Sequence, residues 1–88
     1  MWIQRIDLDE EANPEKITVE LTTDEAAFIA LSLLEQSPNM REEIMPGGAA
    51  LGADISNFLN GGLFNRFYED GVNDLVAAAR KRHVGDVR

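Results

Sequence analysis

The sequence predicts an α+β fold, with an N-terminal antiparallel β-hairpin packed against a small cluster of four to five helices. Three observations carry this expectation. Apolar and polar residues alternate with period two from Trp2 to Leu8 and again from Lys16 to Thr22. A capping box, Thr22-x-x-Glu25, then opens a segment whose apolar spacing becomes helical. Beyond it, glycine and proline divide the chain into short helical lengths.

In the first strand, Trp2, Gln4, Ile6 and Leu8 fall on one side and Ile3, Arg5 and Asp7 on the other. In the second, Ile17, Val19 and Leu21 oppose Lys16, Thr18, Glu20 and Thr22. The polar connection from Asp9 to Glu15 contains Asn13-Pro14, which disfavours both helix and ladder. A two-stranded sheet is marginal in water. The face carrying Trp2, Ile6, Leu8, Ile17, Val19 and Leu21 is therefore expected to lie under helices.

The capping box starts a helix that runs from Thr23 to about Gln36. From Ala26 to Leu34 only Ser32 is polar, which marks this as the central helix, apolar around most of its circumference. Ser37-Pro38 supplies an N-cap and a first-turn proline for a short peripheral helix that ends before Pro46. After Gly47-Gly48, Leu51, Ile55, Phe58 and Leu59 recur at core-facing helical spacing, and Asn60-Gly61-Gly62 is expected to end that helix. A helical turn through Leu63, Phe64, Phe67 and Tyr68 follows. Asp70-Gly71 then precedes a last helix whose inward face is Val72, Leu75, Val76 and Ala79.

A chain of 88 residues and 9.7 kDa supports one core. It is expected to form a single domain ordered over residues 2–83, with residues 84–88 frayed. There is no cysteine and one histidine, which excludes disulfides, thiolate catalysis and the usual zinc and iron–sulfur sites. No basic segment leads into an apolar run, and the longest apolar stretch is far short of the roughly 20 residues that span a bilayer. The expectation is a soluble, cytoplasmic protein that makes no use of a membrane.

Charge is unevenly placed. Sixteen acidic residues face eight basic ones, for a net charge of −8. The acids concentrate before Ala26, whereas Arg80, Lys81, Arg82 and Arg88 reverse the sign at the other end. Such a balance disfavours nucleic acid and favours basic protein surfaces.

No catalytic or cofactor pattern survives inspection. Gly47-x-x-x-x-Gly52 opens like a phosphate loop but continues Ala53-Asp54, where lysine and a hydroxyl residue are needed. The glycines instead let a helix start close against its neighbour. Asp7-x-Asp9-x-Glu11 opens like a calcium loop, yet Ala12 holds the turn position and Thr18 the bidentate position. His83, beside Arg80, Lys81 and Arg82, reads as a cation complementing a helix C-terminus, with Asp70 and Asp74 serving the other end. No catalytic, metal or cofactor-binding residue is expected.

The expected function is therefore non-enzymatic: a small acidic inhibitor, immunity-type or regulatory protein that docks on a basic surface of another protein. Asp7, Asp9, Glu10, Glu11 and Glu15 are the acidic contact candidates, and Phe64, Phe67 and Tyr68 the aromatic ones. The alternative is a self-associating adaptor, a homodimer joined through the hairpin edge at Trp2, Ile3 and Arg5 or through the central helix. A more remote alternative is an enzyme working with carboxylates alone.

Overall fold

The computed structural model describes residues 1–87, and the side-chain surroundings of residues 1–83. It has the expected α+β architecture: a two-stranded antiparallel sheet followed by helices. Strand β1 is Trp2–Leu8 and β2 is Pro14–Glu20. The helices are α1 (Thr23–Glu35), α2 (Pro38–Ile44), α3 (Gly48–Asn57), a π-helical segment Phe58–Phe64, the helical turn α4 (Asn65–Phe67) and α5 (Val72–Val87).

Two starts are set by local chemistry. The Thr22 hydroxyl accepts from the Glu25 amide at 3.1 Å, and Glu25 Oε1 accepts from the Thr22 amide at 3.0 Å, completing the capping box of α1. Ser37 Oγ accepts from the Met40 amide at 3.1 Å, with Pro38 in the first turn of α2.

The core is small. Ala26, Ala27 and Ala30 of α1 meet Phe64 of the π-helix and Val72 and Leu75 of α5, with Leu21, Leu59, Tyr68 and Val76 packed around them. Val72, Leu75 and Val76 thus sit on the face expected of the last helix. Gly71 adopts φ +56°, and a side chain there would collide with the Asn65 carboxamide.

Helix α3 is turned away from its expected orientation. Leu51, Ile55 and Phe58 are exposed, and Phe58 is 70 % exposed. Gly48, Gly52 and Ser56 are the buried residues of α3. The cause is close approach to α2: a Cβ on Gly48 would overlap the Arg41 carbonyl oxygen, and one on Gly52 would lie 2.7 Å from Arg41 Cδ. The Arg41 guanidinium passes over Gly52 and donates from Nη2 to the Leu33 carbonyl near the end of α1, whose own last turn carries no cation. The Gly47–Gly52 spacing therefore serves packing.

Asn60-Gly61-Gly62 does not end the helix. The chain continues through it with wider π-helical turns and passes into α4. Asn60 Oδ1 reaches instead toward the Val72 amide at the start of α5, at 3.5 Å. Helix α5 extends to Val87, so Arg80, Lys81 and Arg82 precede its last turn and are not the C-terminal charge complement expected of them. The expected frayed segment, residues 84–88, lies on α5 as far as Val87, and for Arg88 and the side chains of residues 84–87 outside the described residues.

The largest departure concerns the hairpin, which is not covered. Neither strand makes more than marginal contact with a helix. Trp2, Ile3, Ile6, Leu8, Ile17 and Val19 are all exposed, and only Leu21, at the junction, packs on the core. The molecule measures 51 × 31 × 27 Å with a radius of gyration of 15.7 Å. A compact chain of this length is expected near ~12 Å. The hairpin is an arm standing off a helical body. Alanines supply half of the buried cluster.

Candidate docking surfaces

The arm has two unlike faces, and a β-bulge creates them. Ile3 pairs with Val19 and Arg5 with Thr18, so Gln4 is the extra residue in β1; Ile6 pairs with Ile17 and Asp7 with Lys16. Residues paired across an antiparallel ladder share a face. One face therefore carries Ile3, Ile6, Ile17 and Val19, and alternation adds Leu8; the other carries Trp2, Arg5, Asp7, Lys16, Thr18 and Glu20. Strict alternation misplaces Ile3 and Trp2, because the inserted residue at Gln4 reverses the parity before it. The self-association candidates Trp2, Ile3 and Arg5 thus divide: Ile3 joins the apolar face, while Trp2 and Arg5 lie on the polar one.

At the end of the arm, Asp9 builds the turn. Its Oδ1 accepts from the amides of Glu11 and Asn13, both at 2.9 Å, and its carbonyl accepts from Ala12. Ala12 takes φ +66°, the left-handed region. Asp7 Oδ1 is held by Arg5 Nε at 2.6 Å. Two of the five acidic candidates, Asp7 and Asp9, are therefore engaged within the hairpin. Glu10, Glu11 and Glu15 line a shallow hollow with Leu8 and Asp9 and project toward solvent.

The aromatic candidates separate as well. Phe64 is 3 % exposed and belongs to the core, and Tyr68 is half-buried against it. Phe67 stands free at 74 % exposed. Three aromatics outside the expected set join it on the surface, Trp2 on the arm and Phe28 and Phe58 on the body. Phe28 borders two apolar grooves. One, of about 360 Å³, runs between α1 and α5 over Ala27, Leu31, Leu75 and Val76; the other, of about 350 Å³, lies over Leu21 and Ile29. Phe28 was legible as apolar, but a helix apolar on nearly every side gives no signal for which side stays wet.

Asp24, Arg80 and His83 stand at the rim of the first groove, where Arg82 Nη2 holds both oxygens of Asp24 at 2.9 and 2.7 Å. This pair ties the later part of α5 to the start of α1, directly below the arm. Glu25 sits beside it. The N-terminal ammonium at 2.5 Å and then the Thr22 amide hold its carboxyl down to about 2, from an ordinary value of 4.5.

Ser56 is the one buried polar residue among those described, and the groove between α1 and α5 is lined by Phe28 and aliphatic side chains, with Arg80, His83 and the already paired Asp24 at its rim. Among the described residues no group of three or more histidine, aspartate or glutamate side chains is placed to hold a metal ion. No described helix is long and apolar enough to cross a membrane. Comparisons of the chain with protein-family models, with curated proteins and with solved structures find no match.

Proposed function

We propose that this chain is a non-enzymatic protein-interaction module of the cytoplasm, an inhibitory, immunity-type or regulatory protein that docks on a basic protein surface. The observation that carries the reading is the arm: a hairpin standing off the body with one apolar face uncovered and three glutamates at its tip that, among the described residues, have no partner. A lone hairpin with an exposed apolar face is stabilised by covering that face, so docking and ordering of the arm are one event. The glutamates steer the encounter, and the aliphatic face supplies the burial.

The test is affinity capture from extracts of the native host, with the native chain and the Glu10→Lys/Glu11→Lys variant as paired baits. The reading expects a basic protein recovered by the native chain and depleted with the variant. Its association rate with the purified chain should fall as salt rises. Equal recovery by both baits, with an association rate indifferent to salt, would contradict it.

A further inference from the structure

We infer that the basic surface docked by the arm belongs to a second copy of this chain, in a twofold pair with the two arms packed face to face and antiparallel. This rests on the reading of the arm as the docking element and names its partner. Three observations lead there.

The first is area. Ile3, Ile6, Leu8, Ile17 and Val19 are each between 41 % and 58 % exposed. At that exposure each leaves roughly 100 Å² to water, about 500 Å² per copy and about 1,000 Å² for a pair, which reaches the threshold for a specific interface. The second is the character of the face. Its paired positions carry no charge, and two such flat faces rich in β-branched residues stack as the layers of a sandwich do.

The third is charge, and it selects the orientation. A seven-residue arm is about 23 Å long. A parallel pair would bring both glutamate tips together. An antiparallel pair separates them by that length, well beyond the ~8 Å screening distance. It also brings each tip to the base of the other arm. The base is where Arg82, held by Asp24, gathers with Arg80 and His83 beside the start of α1. Glu10, Glu11 and Glu15 of one copy thus come near Arg80 of the other, the charge of Arg82 being already matched by Asp24, and the twofold repeats the contact.

Sedimentation velocity across a dilution series from about 1 mM to about 1 µM tests this. The native chain should form a reversible dimer. Ile17→Lys, in the middle of the apolar face, should weaken it more than about 100-fold, because the twofold buries the change twice. Ile6→Lys should act alike. Thr18→Lys, on the opposite face, should stay within about threefold of the native constant. Helical circular dichroism should be retained in all three, since the strands scarcely touch the helices. Glu10→Lys/Glu11→Lys and added salt should each weaken the dimer.

A monomer at every concentration overturns the inference. So does equal weakening by Ile17→Lys and Thr18→Lys. A dimer strengthened or unchanged by salt overturns the antiparallel arrangement. A monomeric chain that still captures a basic host protein through Glu10 and Glu11 leaves the proposed function standing and removes the self-pairing alone. A chain that neither dimerises nor captures removes both.

Discussion

A three-position glycine series probes how α2 and α3 are packed. In a helix interior, Gly→Ala ordinarily gains up to about 1 kcal/mol. At Gly48 the new Cβ would overlap the Arg41 carbonyl oxygen, which belongs to the α2 backbone and cannot swing aside. The two helices must part, at a cost near the upper end of the 1–3 kcal/mol typical of overpacking. The net expectation for Gly48→Ala is a loss of about 2 kcal/mol, or roughly 8–16 °C in Tm for a domain of this size. At Gly52 the Cβ would lie 2.7 Å from Arg41 Cδ and 2.8 Å from Nε, atoms of a side chain that can rotate away. Rotation gives up the bond to the Leu33 carbonyl, so Gly52→Ala should lose about 1 kcal/mol. At Gly61 nothing lies within 4 Å, and Gly61→Ala should lose nothing. Urea unfolding followed by far-ultraviolet circular dichroism, at one fixed protein concentration, reads all three. A Gly48→Ala variant as stable as the native chain, or a Gly61→Ala variant as damaged as Gly48→Ala, would refute the close-packing argument.

Three further outcomes follow from particular side chains. Ala12→Gly relieves a left-handed residue at the arm's tip and should stabilise the hairpin by about 0.5–1 kcal/mol, the relief being partly offset by chain entropy, seen as slower amide exchange in β1 and β2. Phe64→Ala should cost about 3–5 kcal/mol, whereas Phe28→Ala, at a site 72 % exposed, should leave unfolding within about 0.5 kcal/mol of native, both read by urea titration. Glu25 should titrate near 2 in carbon-detected nuclear magnetic resonance, and acetylating the N-terminal amine should raise it toward 4.5. Because its folded value is depressed, its contribution is whole above about pH 4.5 and is lost as pH falls through about 2.

The parts of the fold legible in the sequence were those decided within a few residues. Thr22 with Glu25 and Ser37 with Pro38 announce two helix starts, since a cap needs only its own turn. The inward face of α5 was legible for the same reason. What escaped depends on distant partners. Whether Leu51, Ile55 and Phe58 or Gly48, Gly52 and Ser56 face inward turns on how closely α2 approaches, which periodicity does not encode. Hydropathy favours the first set; contact with the Arg41 backbone decides for the second. The bulge at Gln4 is likewise invisible along one strand, because it exists only relative to the register of the other. Its effect is to exchange Trp2 for Ile3 on the face that carries Ile6, Leu8, Ile17 and Val19, which leaves that face wholly aliphatic. The uncovered arm is not legible because an apolar strand face is ordinarily covered by the chain that carries it.

Of the docking residues, the glutamates at the tip were the most legible, as a charge cluster at a predicted turn. Asp9 and Asp7 shared that signal but spend their oxygens on the Glu11 and Asn13 amides and on Arg5. Among the aromatics, Phe64 and Phe67 lie three residues apart, yet one closes the core and the other faces water. Composition does not distinguish them; the path of the π-helix into α4 does.

The central claim is that the arm has no cover among the described residues and is ordered by docking. Amide hydrogen exchange, compared between strand and helix at low and high protein concentration, tests it most directly. The account predicts that amides of β1 and β2 exchange much faster than those of α1 in dilute solution and gain protection as concentration rises. Strand amides protected in dilute solution as strongly as those of α1, and unmoved by concentration, would contradict it.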